Sequence, residues 1–175
     1  MDSLRYPIGS FEAITDPTQE QRSSCIERIP ELAVLLKELL AELLPEQLNT
    51  PYRPEGWTIR QIVHHMADND MNAYIRLRRA LTEAEPVASS YREDLWAELG
   101  DYEREPIEVS LDLMESLHCR LYGLLQHLEE QQYKRKFSTQ ALGLITVDVA
   151  IQRFVWHNHH HTEQIRMFLQ RKGWI

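Results

Sequence analysis

The apolar positions of the chain recur every three or four residues in four long stretches, the mark of amphipathic helices. Leu32, Leu35, Leu36, Leu39, Leu40 and Leu43 form the first stripe. Asp16 is its expected cap, with Pro17 at the first helical position, Pro30 as a kink or split and Pro45 as the end. A second helix is expected over 59–84. It opens on a capping box of Thr58 and Gln61, flanked by Trp57 and Ile62 as a hydrophobic staple. Its apolar face holds Ile62, Val63, Met66, Ala73 and Leu77. A third helix is expected over 107–129, with Leu111, Met114, Leu117, Leu121, Leu124, Leu125 and Leu128 inward. Thr146 caps a last helix that ends at Gly173. Residues 1–15 read as extended, with Pro7 and Gly9 as breakers. Residues 45–56 and 85–105 read as loops, the latter with a helical turn at 93–99. A loop with Gly143 precedes the last helix, and no alternating run suggests a strand. The pattern predicts an all-α protein, a four-helix bundle with long connecting loops, as one domain over 1–175.

Two features break this pattern. The second helix carries a polar stripe, Gln61, His65, Asp68, Asn72 and Arg76, poor in the long charged side chains of a free surface. The last helix carries histidines on its apolar face. At about 100° per residue, Ala150, Phe154, His157, His161, Ile165 and Phe168 share one side, while His159 and His160 point elsewhere. Histidines at i and i+4 can hold one cation between them. They can also belong to a hydrogen-bonded polar network. A metal needs a third ligand, for which His64 and His65 are the candidates. The stripe favours His65. Three imidazoles suit Zn²⁺, Ni²⁺ or Fe²⁺ and leave a coordination position for water or substrate. Asp68 and Glu163 are candidate partners for the ring N–H groups. His118 and His127 stand apart on the third helix, as structural or surface residues.

Composition narrows the function. The chain has 175 residues and a net charge of −8, without a Lys/Arg stripe, which argues against nucleic acid. Lys134-Arg135-Lys136 reads as a solvated loop. No apolar run reaches the length of a membrane span and no signal peptide is expected. Cys25 and Cys119 read as core thiols of a reduced, cytoplasmic protein. Di-iron ligation needs a second Glu-x-x-His beside Glu115-x-x-His118, and Asn158 stands where a zincin helix needs Glu. Nucleophile elbows, phosphate loops and dinucleotide fingerprints are missing from the sequence.

Several stretches together resemble the DinB-like superfamily of metal-binding four-helix bundles, and within it the YfiT family of metal-dependent hydrolases. They are Tyr6-Pro7-Ile8-Gly9, Thr50-Pro51-Tyr52-Arg53, Gly56-Trp57-Thr58-Ile59-Arg60-Gln61, His64-His65-Met66-Ala67-Asp68, Met71-Asn72-Ala73-Tyr74-Ile75-Arg76 and Val155-Trp156-His157-Asn158-His159-His160-His161. His157-x-x-x-His161-x-x-Gln164-Ile165 is similar to the superfamily's last-helix signature. The resemblance implies one divalent metal per subunit, zinc or nickel, on His65, His157 and His161. It also implies a cytoplasmic homodimer acting on a small molecule. Some members resemble S-transferases that use bacillithiol or another low-molecular-weight thiol, so thiol transfer stands beside hydrolysis, and a non-catalytic metal-binding bundle beside both. Asp70 stands where the nearest relatives are expected to carry His, which bears on substrate contacts. Gln164 is given no role at the site.

Overall fold

The computed structural model describes residues 4–175. Its helices are α1 (Gln19–Glu27), α2 (Ile29–Leu40), α3 (Pro45–Leu48), α4 (Ile59–Thr82), α5 (Glu93–Trp96), α6 (Gly100–Arg104), α7 (Ile107–Leu125), α8 (Glu130–Tyr133) and α9 (Val147–Lys172). Two short strands, β1 (Lys136–Thr139) and β2 (Gly143–Thr146), separate α8 from α9.

Helices α2, α4, α7 and α9 form the bundle. Both α7 and α9 pack against α2 and against α4, so α2 and α4 occupy opposite corners. The core divides into two apolar clusters, one at each end. One contains Leu36 and Leu40 of α2, Ile62 and Met66 of α4, Leu111 and Met114 of α7, and Ile165 and Phe168 of α9. The other contains Ile29 and Leu32, Tyr74 and Leu77, Leu121 and Leu125, and Ile151 and Phe154. Following these residues in chain order gives the helix directions. α4 and α7 run parallel to each other, and α2 and α9 run parallel in the opposite sense. A parallel neighbour cannot be reached by a tight turn. Residues 83–106 therefore travel back along α4, a helix of 24 residues and about 36 Å.

That return segment lies over the polar stripe of α4. Gln61 donates to the Ala97 carbonyl at 2.9 Å, Asp68 accepts from the Tyr102 hydroxyl at 2.6 Å, and Arg76 donates to the Ser89 carbonyl at 2.7 Å. The stripe is an internal polar seam and not a solvated face. Asp68, expected beside a ring N–H of the histidine cluster, is instead turned to the return segment.

Between the two apolar clusters lies a buried polar layer. Asp70 and His118 are fully buried, and their side chains meet at 2.7 Å. The other Asp70 oxygen accepts from the Asn158 amide at 2.8 Å. Position 70, expected to bear on substrate contacts, is thus a core hydrogen-bonding position, and His118 is structural.

Several expected boundaries shift. Thr18, not Asp16, caps the first helix, in a reciprocal pair with Gln21. Pro30 splits that stretch into α1 and α2, sitting in the first turn of the second piece. Pro45 opens α3 and does not close α2. α4 and α7 end at Thr82 and Leu125, short of 84 and 129. The expected turn at 93–99 is α5, and α6 was not foreseen. The hairpin was also missed. Its strands have four residues each, too few to display alternation, and Gly143 has φ +66°, favourable to glycine. Cys25 is half-buried, and burial pushes its thiol up to about 11. Cys119 is exposed, on the outer face of α7 one residue past buried His118, and so is not a core thiol.

Candidate metal centre

The capping box of Thr58 and Gln61 sets the start of α4, so His65 falls two turns in, on the polar seam. α9 starts at Thr146, whose hydroxyl accepts from the Val149 amide, and ends at Gly173 in the left-handed region, φ 67°. His157 and His161 are one turn apart and straddle the middle of α9. Their rings meet edge to face, with centroids 4.5 Å apart.

The structure brings His65, His157 and His161 together. One ring nitrogen from each lies within 4.8 Å of the others, and all three residues are buried. Nε2 of His65 is 3.3 Å from Nε2 of His157. Two nitrogens each about 2.1 Å from a common tetrahedral ion would stand about 3.4 Å apart. The spacing therefore fits a shared cation. His64, the alternative on α4, faces away, with Nδ1 2.7 Å from the Ser110 hydroxyl. His159 lies near Glu163 on the outer side of α9. Glu163 also pairs with Arg166, so it does not serve the cluster.

Neighbouring amides orient two of the rings. Gln164 Oε1 accepts from His161 Nδ1 at 2.8 Å, while Gln164 Nε2 donates to the Arg5 carbonyl at 2.7 Å. That bond fixes the His161 tautomer and leaves Nε2 bare. Gln164 thus has the role at the site that the sequence reading denied it. Asn69 reaches His157 Nδ1 at 3.1 Å. The atom turned to the ring is the amide nitrogen Nδ2, which donates to Nδ1 and so holds the orientation of the His157 ring. Sequence reasoning missed Asn69. Its signal was position i+4 from His65, one turn along the seam. The His65 ring has no such clamp among the described residues, and its Nδ1 is buried without a partner. Trp57 lies against that ring, with centroids 4.7 Å apart.

Electrostatics keeps these rings neutral. Burial lowers His65 to about 4, and Arg153 adds to the shift. Burial first, then repulsion among the cluster's own rings, hold His157 and His161 well below the usual histidine value. Neutral imidazoles are the form that ligates a metal.

The cluster lines a cleft of about 280 Å³. Arg5, Arg53 and Arg153 bring positive charge to its walls, and Glu55 and Glu93 bring carboxylates. His160 also lines it, buried and stacked on Trp156 with centroids 4.6 Å apart at 17°. Burial lowers His160 to about 4.

Comparison with known proteins gives a consistent picture. Residues 9–165 match the DinB superfamily. A protein of Bacillus cereus (strain ATCC 10987 / NRS 248), provisionally named a metal-dependent hydrolase, is 42% identical over 174 residues, covering 99% of this chain and all of that one. A Bacillus anthracis protein (strain CDC 684 / NRRL 3495) with the same provisional name is 41% identical over the same length. The solved structure of YfiT from Bacillus subtilis, described as having an unusual four-helix bundle topology, superposes with a TM-score of 0.96. It is 40% identical, and the match covers 99% of both chains. The four-helix bundle protein TT2238 matches in fold, with a TM-score of 0.60 at 18% identity over 83% of this chain and 98% of its own. The parallel pairing of α4 with α7, the buried histidine cluster and the sequence match lead to one conclusion: the chain belongs to the DinB superfamily.

Proposed function

We propose that the protein is a metal-dependent hydrolase, with one divalent cation, zinc before nickel, held by His65, His157 and His161. The convergence of three neutral imidazoles on one point at the floor of an open cleft carries the proposal. When bound, the cation supplies Lewis acidity to a water or a carbonyl oxygen in the remaining position. The chain supplies the rest. Gln164 and Asn69 hold the α9 rings in register. Trp57 and Trp156 wall the cleft with apolar surface that limits water. Of the cleft's side chains, Glu55 and Glu93 are the carboxylates that can take a proton from an attacking water.

The relatives' provisional name supports hydrolysis of a small molecule. Metal content of the purified protein, set against His65→Ala, His157→Ala and His161→Ala, tests the ligand set. A panel of esters and amides tests the reaction. Full metal retention in all three variants would end the proposal. The same ligand set can hold a thiolate. Metal-dependent conjugation of a low-molecular-weight thiol to a halogenated electrophile, without hydrolysis, would replace hydrolysis by thiol transfer. Silence in both assays would leave a non-catalytic metal-binding bundle. On family kinship we read the protein as a cytoplasmic homodimer. A solution mass of twice the 20.7 kDa chain is expected by light scattering.

A further inference from the structure

A second and larger cavity, about 440 Å³, adjoins the histidine cluster between α4, α9, the hairpin and the start of the return segment. Glu93, Arg153 and His157 line both it and the cleft. Leu77, Phe137, Leu142, Ile145 and Phe154 give it apolar walls.

Its polar equipment is unusual because it is unspent. Nε of Arg76, the hydroxyl of Tyr91 and Nη1 of Arg153 are buried and lack hydrogen-bond partners. All three residues line the cavity. Arg153 lies over the Trp156 ring, 4.4 Å from its centroid. That contact uses the face of the guanidinium and leaves its edge free to donate. Arg76 spends one nitrogen on the Ser89 carbonyl. Glu93 lines the same cavity but forms no ion pair within 4.0 Å with either arginine among the described residues. Two arginines and a tyrosine with unmatched buried donors therefore line a chamber whose remaining walls are partly apolar and partly polar, with Glu93 as its carboxylate. Buried donors left unmatched are costly, and an anion accepting from them is the matching chemistry.

We propose that this cavity binds a carboxylate carried on an apolar body, with Arg76, Tyr91 and Arg153 as its anchor. The apolar walls select against a free inorganic anion. His157 is the wall shared with the cleft, so a ligand anchored here lies beside the histidine cluster. The inference deepens the hydrolase reading by giving its substrate class, and it rests on that reading only for catalysis.

The test uses hexanoate, hexan-1-ol and inorganic phosphate as calorimetric probes of the full chain, zinc-loaded and chelator-treated. Hexanoate is expected to bind about tenfold or more tighter than either of the others, with and without zinc. Arg153→Met and Arg76→Met are expected to remove that advantage while the circular dichroism spectrum stays unchanged. If one variant fails to fold, the other and Tyr91→Phe carry the test. The proposal is overturned if hexanoate binds no tighter than hexan-1-ol, if phosphate matches it, or if folded variants retain the preference. It is also overturned if hexanoate binds only with zinc and is lost in His65→Ala alone, since the anion then sits at the cluster. Zinc uptake is measured separately. No uptake with hexanoate still bound would end the metal reading and support the anion pocket.

Discussion

The chemistry of single residues here turns on which ring nitrogen is spoken for. Gln164 holds His161 through Nδ1. Replacing it with Leu removes the clamp and leaves the ring free to turn. Metal affinity is expected to fall about 10- to 100-fold, read by competition with a chromogenic chelator. Protons compete for the same nitrogens. In metal-free protein the folded state keeps His65 at about 4 against an ordinary 6.5. The unfolded chain therefore binds more protons between those values, so stability rises with pH across that window and is lost as pH falls through it. For His65 the gap corresponds to about 3 kcal/mol, and His157 and His161 add in the same direction. Urea midpoints of chelator-treated protein at pH 7 and pH 4.5 check the sign. A higher midpoint at pH 4.5 would refute it. That His65, His157 and His161 meet in space could be anticipated, because apolar-face placement and the seam each singled out specific positions. Of the amides beside them, Asn69 was marked only by its place one turn past His65, and the Gln164 clamp was not legible, because its partners lie on its own helix and at Arg5.

At the level of elements, start signals were more legible than stops. A capping box is local chemistry, and Thr58 with Gln61 forms one as the sequence indicates. Thr58→Ala is expected to destabilise the protein by about 1 kcal/mol, a fall of about 2–4 °C in Tm by calorimetry. Helix ends depend on what the chain must do next. α4 stops at Thr82 because Glu83 already takes extended backbone, φ −109° and ψ 158°, after which Glu85 at φ 43° and Pro86 turn the chain into its return. The hairpin is held in part from outside, by Ala88 N–H to the Ser138 carbonyl at 2.8 Å and Ser138 N–H to the Pro86 carbonyl at 3.0 Å. Contacts fifty residues apart leave no trace in a local window. The polar seam was visible as an anomaly, but its cover was not, because only the path of residues 83–106 shows what lies over it.

For the whole molecule, the polar layer of Asp70, His118 and Asn158 separates two apolar clusters that would otherwise merge. Asp70→Ala leaves two buried partners unmatched and is expected to cost about 3 kcal/mol. Combined with His118→Leu, the loss should be less than the sum of the single changes, a coupling that a double-mutant cycle in urea measures. The four-helix class was readable from periodicity, whereas the corner occupied by each helix was not. Parallel pairing of α4 with α7 arises from the return segment, whose length was visible and whose route was not. The histidines on α9 also stand far from their α4 partner in sequence, with His65 and His157 separated by 92 positions. During synthesis, a ribosome that has released α4 has made a single ligand. The three-histidine set is complete only when the final helix docks, so that closing step of folding and the capture of a cation by all three rings are coupled.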